Sequence, residues 1–242
     1  MNNPLIKFVY LVWFLPVFVC LTVILGLTCF LVSLFSIRAA RFISNSVWGH
    51  AALDPAGIRL VTIGRENLPR TRGGYIIFAN HTSMADIPAV ALSTGRPLTW
   101  VAKAALGRIP FFGWALTRVH MLVDRGGGAE SARKMVTEAE TRLRQDEILS
   151  IFPEGTRNTT AAPLLPFKKG AFILAKHTGA PIVPLAIKNA GRLWPAGSLW
   201  PRPGTIRIKI GPPLYPEPRE KLGDITLRAQ NALEEMLVDD SW

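Results

Sequence analysis

Cysteine is scarce in this chain, and no thiol lies outside its apolar N-terminal stretch. Of 242 residues only two are cysteine, Cys20 and Cys29, and both fall in that stretch. They cannot cross-link a soluble domain, and no cysteine remains elsewhere to act as a nucleophile or as a zinc ligand. The cysteine content therefore excludes thiol catalysis and a structural zinc site, while the redox compartment stays open.

Acidic residues are also in short supply. Asp and Glu together number 17 against 28 Lys and Arg, which gives a formal net charge of +11. Nucleic acid and anionic lipid headgroups both suit such a charge. A nucleic-acid binder would carry basic patches interleaved with aromatic residues, or a known recognition module, and the sequence has neither. We therefore expect no nucleic-acid partner, and the missing Gly-x-Ser-x-Gly elbow argues against a serine hydrolase.

Charge is absent altogether from the 29 residues Phe8–Ser36. As a straight helix this run would measure roughly 43 Å, against a bilayer hydrocarbon core of about 30 Å. It also exceeds the apolar region of about 7 to 15 residues that is typical of a cleaved signal peptide. We therefore expect residues 1–37 to form a membrane anchor, built either as one long tilted helix or as a hairpin broken near Pro16 or Gly26.

Residues 38–57 follow the anchor as a connector. The stretch Ile37–Val47 mixes basic and apolar positions, so it fits a helix lying at the membrane interface and equally an ordinary connecting helix. Arg38 and Arg41 follow the apolar run, while Lys7 precedes it. This excess of positive charge after the run favours a cytoplasmic location for the bulk of the chain.

The remaining residues, 58–242, alternate short apolar runs with helical patterns. Such alternation is typical of an α/β domain with about seven buried strands flanked by helices. The Pro-rich stretch Trp194–Pro203 predicts a long surface loop or lid. The predicted strands are Ile58–Gly64, Tyr75–Ala79, Leu98–Ala102, Met121–Val123, Ile148–Phe152, Ile182–Ile187 and Thr205–Ile210, and the predicted helices are Ile87–Ser93, Ala129–Arg144, Gly170–His177 and Ile225–Leu237.

The most informative segment begins at His81, just after the predicted strand Tyr75–Ala79, with Asp86 five residues further on. A histidine oriented by a carboxylate is a natural general base. On an ideal helix the two side chains would point about 140° apart. Pro88 is tolerated only near a helix start, so Asp86 lies near the N-cap and His81 in a loop that can fold back to it. In the simpler alternative, Asp86 only caps the helix and His81 lies in a surface loop.

A second segment, Phe152–Arg157, also follows a predicted strand directly. Its Pro and Gly predict a tight turn that presents Thr156 and Arg157 at the sheet edge, where backbone amides and a guanidinium can hold a phosphate. The alternative is a structural turn in which Glu154 and Arg157 form a local ion pair.

Taken together, the Asn-His-x4-Asp and Phe-Pro-Glu-Gly-Thr-Arg segments resemble the glycerophospholipid acyltransferase family over about residues 58–214. The resemblance implies a mixed, mostly parallel sheet and a catalytic dyad of His81 and Asp86. It also implies a phosphate-binding set and an acyl-donor region. The phosphate set is Lys103, Arg125, Glu154, Gly155, Thr156 and Arg157, and the acyl-donor region contains Val183 and Pro184. One family block, usually Gly-x-x-Phe-Ile-x-Arg, keeps only its arginine here, in the stretch Val119–Arg125.

The resemblance further implies the reaction and its place in the cell. We expect transfer of an acyl group from acyl-CoA or an acyl carrier protein to the sn-2 hydroxyl of lysophosphatidic acid, at the bacterial inner membrane. No cofactor or metal is expected, because a thioester is already activated. Three alternative acceptors remain open: glycerol 3-phosphate, a lyso-ornithine lipid and another lysophospholipid. A non-catalytic binder of anionic lipid is the remote alternative. The other histidines, His50, His120 and His177, are expected to be structural.

Overall fold

The computed structural model describes residue 8 and residues 10–70, 73–124 and 128–242. The strands are β1 (Ile58–Ile63), β2 (Tyr75–Ala79), β3 (Leu98–Lys103), β4 (Met121–Val123), β5 (Ile148–Ile151), β6 (Ile182–Lys188) and β7 (Gly204–Ile210). The α-helices are α1 (Leu15–Ser33), α2 (Ile37–Phe42), α3 (Trp48–Leu53), α4 (Asp86–Thr94), α5 (Phe112–Val119), α6 (Gly128–Arg144), α7 (Gly170–Thr178), α8 (Ala190–Leu193) and α9 (Leu222–Val238).

All seven predicted strands form, and within the described residues they make one sheet in the order β1-β7-β6-β2-β5-β3-β4. Every neighbouring pair is parallel except β6 and β7. The predicted mixed, mostly parallel α/β fold is therefore confirmed.

The central strand β2 shows why the pattern predicts burial on both faces. Its five residues are all buried, and alternate side chains enter two different cores. Tyr75 and Ile77 pack under α4, while Ile76 and Phe78 pack under α6, α7 and α9. A strand covered on both sides has no polar face, so it reads as a continuous apolar run.

The sheet order also brings the polar segments together. Strands β2, β5, β3 and β4 are adjacent and parallel, so their carboxyl ends lie along one edge of the sheet. The His81 segment follows β2, the Phe152–Arg157 segment follows β5, and Lys103 ends β3. Residues far apart in the chain thus meet at one edge, where α/β proteins usually place their sites.

The apolar N-terminal helix lies against the α/β part of the chain. The helical segment Val12–Ser33 has a mean hydropathy of 2.6, and only 11% of its most apolar window is buried. Helix α1 runs unbroken through Pro16 and Gly26, so the break that the hairpin alternative places near one of these residues does not occur. Pro16 lies in the first turn, where its missing N–H is tolerated. At Gly26 a Cβ would lie 3.3 Å from the Cα of Phe112, so this glycine permits close packing on α5.

The chain bends at residues 34–36 instead, and the connector then folds onto the domain. Ser36 caps α2 by accepting the N–H of Ala39 at 3.2 Å. A π-helical turn, Ile43–Val47, joins α2 to α3, and it buries Asn45 completely. The connector thus has one face packed on the protein. The boundaries 1–37, 38–57 and 58–242 remain predictions.

The Pro-rich stretch that predicts a surface loop or lid is anchored at its start. Trp194 is buried, and its ring packs edge-on against Phe14 and Phe18 at 5.5 and 5.7 Å between centroids. Its carbonyl accepts the Ser83 hydroxyl at 2.5 Å. The start of this loop is therefore part of the packing between α1 and the His81 segment, although Leu199 further along is exposed.

Candidate active site

The structure joins His81 and Asp86 directly. Nδ1 of His81 lies 2.8 Å from Oδ2 of Asp86. Because a carboxylate only accepts hydrogen bonds, Nδ1 carries the proton, and Nε2 keeps its lone pair. The His81 side chain is 12% exposed and lines a cavity. The pair therefore presents a general base to whatever enters that cavity.

Asp86 is held by the start of a helix. It is the first residue of α4, as Pro88 predicts, and it is fully buried. Besides His81, its Oδ2 accepts the backbone N–H groups of Thr82 and Ser83 at 2.6 and 2.8 Å. These donors and the helix N-terminus stabilise a buried negative charge. Its Oδ1 is buried without a hydrogen-bond partner among the described residues.

Glu154 fixes the backbone of the base. Its side chain is buried, and its Oε1 accepts the N–H of His81 at 2.7 Å, while Oε2 accepts the N–H of Leu165 at 2.8 Å. Burial raises the pKa of this carboxyl, and the two backbone donors oppose that rise. Both oxygens are thus engaged by the protein, so the geometry favours a positioning role for Glu154 over direct contact with phosphate.

The turn after β5 presents the other polar groups. Gly155 has φ +72°, a conformation that favours glycine, and the N–H of Gly155 donates to the carbonyl of Phe152 at 3.0 Å. Thr156 is exposed, and Arg157 donates through Nε to the carbonyl of Ser83 at 3.2 Å. The Glu154–Arg157 ion pair of the alternative interpretation does not form, because both Glu154 oxygens bond to backbone amides.

Three further basic residues, Lys103, Arg125 and Lys168, concern the phosphate-binding set. Lys103 ends β3, is exposed and lines the cavity. Arg125 lies outside the described residues. Lys168 is an addition that sequence reasoning did not assign: a Cβ on Gly155 would lie 2.8 Å from its Cδ, Cε and Nζ. The run Lys168-Lys169-Gly170, which follows the Arg157 turn in the sequence, is the feature from which Lys168 could have been identified.

The cavity itself has a volume of about 380 Å³ and runs between the His81 segment and the N-terminal helix. A volume of this order is typical of small-ligand pockets. The polar part of the lining includes His81, Thr156, Arg157 and Lys103. Most of the other lining is apolar and comes from α1, α3, β3, the 3-10 turn Ala104–Arg108 and α5; it includes Leu25, Gly26, Trp48, Trp100, Val101, Ala102, Leu106, Phe112, Ala115 and Leu116. Such a cavity suits a ligand with a charged head and a hydrocarbon chain.

Val183 and Pro184, expected near the acyl donor, lie in the sheet rather than at this cavity. Both belong to β6, where they pair with Ile77 and Phe78 of β2. Val183 is fully buried in the core under α4. A donor role for them remains a prediction, and in this structure they support the strand beside the His81 segment.

His120 is structural, as expected, but it also lines the cavity. Its Nδ1 accepts the N–H of Trp100 at 3.3 Å, so Nε2 carries the proton and donates to Oγ of Ser44 at 2.7 Å. Burial, and to a smaller extent the charges of Arg41 and Arg142, lower the pKa of His120 to about 3. This histidine therefore stays neutral and cannot act as a base toward Ser44.

Comparisons with known proteins agree with this geometry. The family model described as Acyltransferase matches residues 59–188. The 1-acyl-sn-glycerol-3-phosphate acyltransferase of Pseudomonas aeruginosa is 32% identical over 190 residues, which cover 77% of this chain and 72% of that protein. The chloroplastic 1-acyl-sn-glycerol-3-phosphate acyltransferase BAT2 of Brassica napus is 31% identical, covering 72% of this chain and 49% of that longer protein.

A solved structure is similar over nearly the whole chain. The crystal structure of the 1-acyl-sn-glycerophosphate acyltransferase PlsC from Thermotoga maritima superposes with a TM-score of 0.73 at 25% identity, covering 89% of this chain and 88% of that one. Sequence family, curated relatives and fold all agree with the resemblance inferred from the two motifs. The chain therefore belongs to the acyltransferase family and is an acyltransferase enzyme.

Proposed function

We propose that this enzyme transfers a fatty acyl group from an acyl thioester to the sn-2 hydroxyl of lysophosphatidic acid, giving phosphatidic acid. The observation that carries the proposal is the His81–Asp86 pair, whose histidine lines a largely apolar cavity. The names of the relatives in Pseudomonas aeruginosa and Brassica napus support this acceptor.

The base acts on the acceptor hydroxyl. Nε2 of His81 takes the hydroxyl proton as the oxygen attacks the thioester carbonyl, and Asp86 stabilises the resulting imidazolium. The tetrahedral intermediate then collapses, the carbon–sulfur bond breaks, and the imidazolium returns its proton to the leaving thiolate. All bonds and protons balance with two substrates and no further reactant.

The cations around the turn hold the acceptor. Arg157 can pair with a phosphate through its guanidinium, and Thr156 and Lys103 lie beside the same cavity. Fixing the phosphate places the neighbouring hydroxyl near His81, which lowers the entropic cost of the reaction. We assign Arg125 to the same set on the resemblance alone.

The apolar part of the cavity accommodates an acyl chain, and the exposed side of α1 enters lipid. Acyl-CoA and acyl carrier protein thioesters both remain candidate donors. The predicted location is a bacterial inner membrane with the catalytic domain on the cytoplasmic side, so that both soluble donors have access.

The test is acyl transfer in lipid vesicles. Purified protein is incubated with lysophosphatidic acid and a labelled long-chain acyl-CoA, and separately with acyl carrier protein thioester. His81→Ala is compared with His50→Ala, which removes an exposed histidine paired with Asp54 at 3.2 Å. We expect labelled phosphatidic acid from the parent and from His50→Ala, and none from His81→Ala.

The other outcomes separate the alternatives. A well-folded His81→Ala protein with near-normal activity would sink the assignment of the base. Product only with glycerol 3-phosphate, a lyso-ornithine lipid or another lysophospholipid would replace the proposed acceptor. Vesicle binding without transfer to any of these acceptors would support a non-catalytic lipid binder.

A further inference from the structure

The imidazole of His81 is held on its face as well as at its edge. Its ring stacks on Phe152 with 4.0 Å between centroids and an angle of 12° between planes. Phe152 in turn stacks on Trp100 at 5.7 Å and 20°. Three rings from β2, β3 and β5 segments thus form one pile beside the cavity, and the outermost ring is the base.

The far end of this pile is fixed by the connector. Nε1 of Trp100 donates to Oδ1 of Asn45 at 3.1 Å. Asn45 is fully buried, and its Nδ2 donates to the carbonyls of Arg41 and Leu98 at 2.8 and 3.0 Å. The side-chain amide therefore ties the connector to β3 and holds the indole in one orientation.

We infer that Asn45, Trp100 and Phe152 are positioning residues for His81, acting as a relay from the membrane-proximal connector to the catalytic base. The inference rests on the proposed role of His81. Asp86 fixes the Nδ1 edge but leaves the ring free to tilt about that hydrogen bond, and the flat face of Phe152 removes this freedom. Nε2 then keeps its aim at the acceptor hydroxyl. Small errors in such an aim reduce turnover while leaving substrate binding intact.

The first experiment distinguishes the effect of the aromatic face of Phe152 from the effect of its volume. Phe152→Leu keeps an apolar side chain but removes the stacking face, and Phe152→Tyr keeps the ring. We expect kcat to fall by roughly 10- to 100-fold in Phe152→Leu. The KM for each substrate should stay within about twofold, and Phe152→Tyr should recover most of the turnover.

A matched control removes a stacked ring elsewhere. Phe172 is fully buried and stacks on Phe167 at 5.9 Å and 11° in the core on the other side of the sheet. Phe172→Leu should lower the melting temperature at least as much as Phe152→Leu, yet leave the kcat of the folded protein near the parent value. An equal fall in kcat for both variants would reduce the role of Phe152 to ordinary packing.

A double-mutant cycle tests the relay. Trp100→Phe keeps a ring on Phe152 but removes the donor to Asn45, and Asn45→Ala removes the acceptor. If the relay acts through this hydrogen bond, both single variants lose kcat, and the double variant loses little more than the worse single one. Purely additive losses would overturn the relay, and so would unchanged kcat in Trp100→Phe.

Nuclear magnetic resonance of the His81 ring gives a readout that does not depend on turnover. Its ring protons lie under the face of Phe152 and should resonate upfield, returning downfield in Phe152→Leu. The His81→Ala assay runs in parallel: an active His81→Ala enzyme would overturn the proposed function itself. Inactive His81→Ala with fully active Phe152→Leu would overturn only the positioning role.

Discussion

At the scale of single residues, the two buried carboxylates of the site, Asp86 and Glu154, bond to N–H groups of the protein and not to the nearby arginine or lysine side chains that the structure describes. Asp86 gathers three N–H donors on one oxygen, and Glu154 bonds to two backbone amides instead of to a cation. The two carboxylates therefore have different tasks: Asp86 polarises the base, and Glu154 shapes the backbone that carries it.

Asp86→Asn should show how much of catalysis depends on the negative charge. An asparagine still offers an oxygen to the amides of Thr82 and Ser83, so the loop is retained, while the charge facing the imidazolium is lost. We expect kcat to fall by roughly 10²- to 10⁴-fold. The measurement is steady-state acyl transfer, with Asp54→Asn in the exposed His50 pair as the control. A loss of less than tenfold would argue against electrostatic support by Asp86.

Glu154→Gln should affect stability and turnover, whereas Arg157→Ala should affect binding of the acceptor. A glutamine at 154 places an NH₂ against one of two backbone N–H donors, which should cost about 1 to 3 kcal/mol of unfolding free energy and lower kcat. Arg157→Ala should instead raise the KM for the phosphate-bearing acceptor with less effect on stability. A raised acceptor KM with normal stability in Glu154→Gln would return that residue to the phosphate-binding set.

At the scale of elements, the parallel order β2-β5-β3-β4 makes the site predictable. Each polar segment follows a strand recognisable from its apolar run, and adjacent parallel strands bring those segments to one edge. The sequence therefore predicts the His81–Asp86 pair, the turn at Arg157 and the position of Lys103. It predicts less about Glu154, because a carboxylate between Pro and Gly reads as a surface group.

The stack behind His81 was not predictable for a different reason. Phe152, Trp100 and Asn45 come from segments separated by about 50 residues each, and nothing in their local patterns specifies which rings meet. Likewise the packing of α1 on α5 depends on the fit between Gly26 and the Phe112 backbone. Apolar composition indicates that a helix avoids water, but which surface packs against it depends on the whole fold.

His120 bonds to Ser44 of the connector and to Trp100 of β3, and its titration should make the free energy of unfolding depend on pH. His120 has a folded pKa of about 3, below the ordinary 6.5, because it is buried beside Arg41 and Arg142. The unfolded chain therefore takes up the extra proton below pH 6.5, and stability is lost as the pH falls from there toward 3. Between pH 7 and pH 5 the loss should be about 2 kcal/mol.

Urea unfolding in detergent micelles at both pH values measures this loss. His120→Gln can keep the acceptor toward Trp100 and the donor toward Ser44, but it does not titrate. We expect the variant to lose about 2 kcal/mol less than the parent between pH 7 and pH 5. His177→Gln, at an exposed position, serves as the control. Equal losses in the parent and His120→Gln would contradict the assignment.

At the scale of the whole molecule, α1 and the region of α5 carry much of the exposed apolar surface of the described residues. On α1 this surface includes Val19, Val23, Ile24, Leu27 and Leu31, and it continues onto the segment before and within α5 through Leu106, Ile109, Phe111 and Trp114. Trp114 joins the two parts, since its ring lies 5.9 Å from that of Phe30. Exposed apolar residues on α1 and around α5, together with exposed Arg108, are suited to a bilayer with anionic headgroups.

Site-specific labels should reveal this orientation on vesicles. A single cysteine at Ile109→Cys, in a background of Cys20→Ser and Cys29→Ser, carries an environment-sensitive fluorophore. Leu227→Cys, exposed on α9 across the sheet, is the matched control. On phosphatidylglycerol vesicles we expect brominated lipids to quench the label at position 109 and spare the one at 227. Equal access of both labels to aqueous iodide would place the α5 segment outside the lipid.

The packing of α1 bears on whether the anchor is interchangeable with others. Thr22, Leu25, Gly26 and Cys29 of that helix form one wall of the cavity beside His81. An unrelated spanning helix of equal length and hydropathy would keep the protein in the membrane but leave that wall unbuilt. Chimaeras in which such a helix replaces α1 should therefore remain in the membrane and lose acyl-transfer activity. We therefore predict that α1 and residues 58–242 change together in evolution.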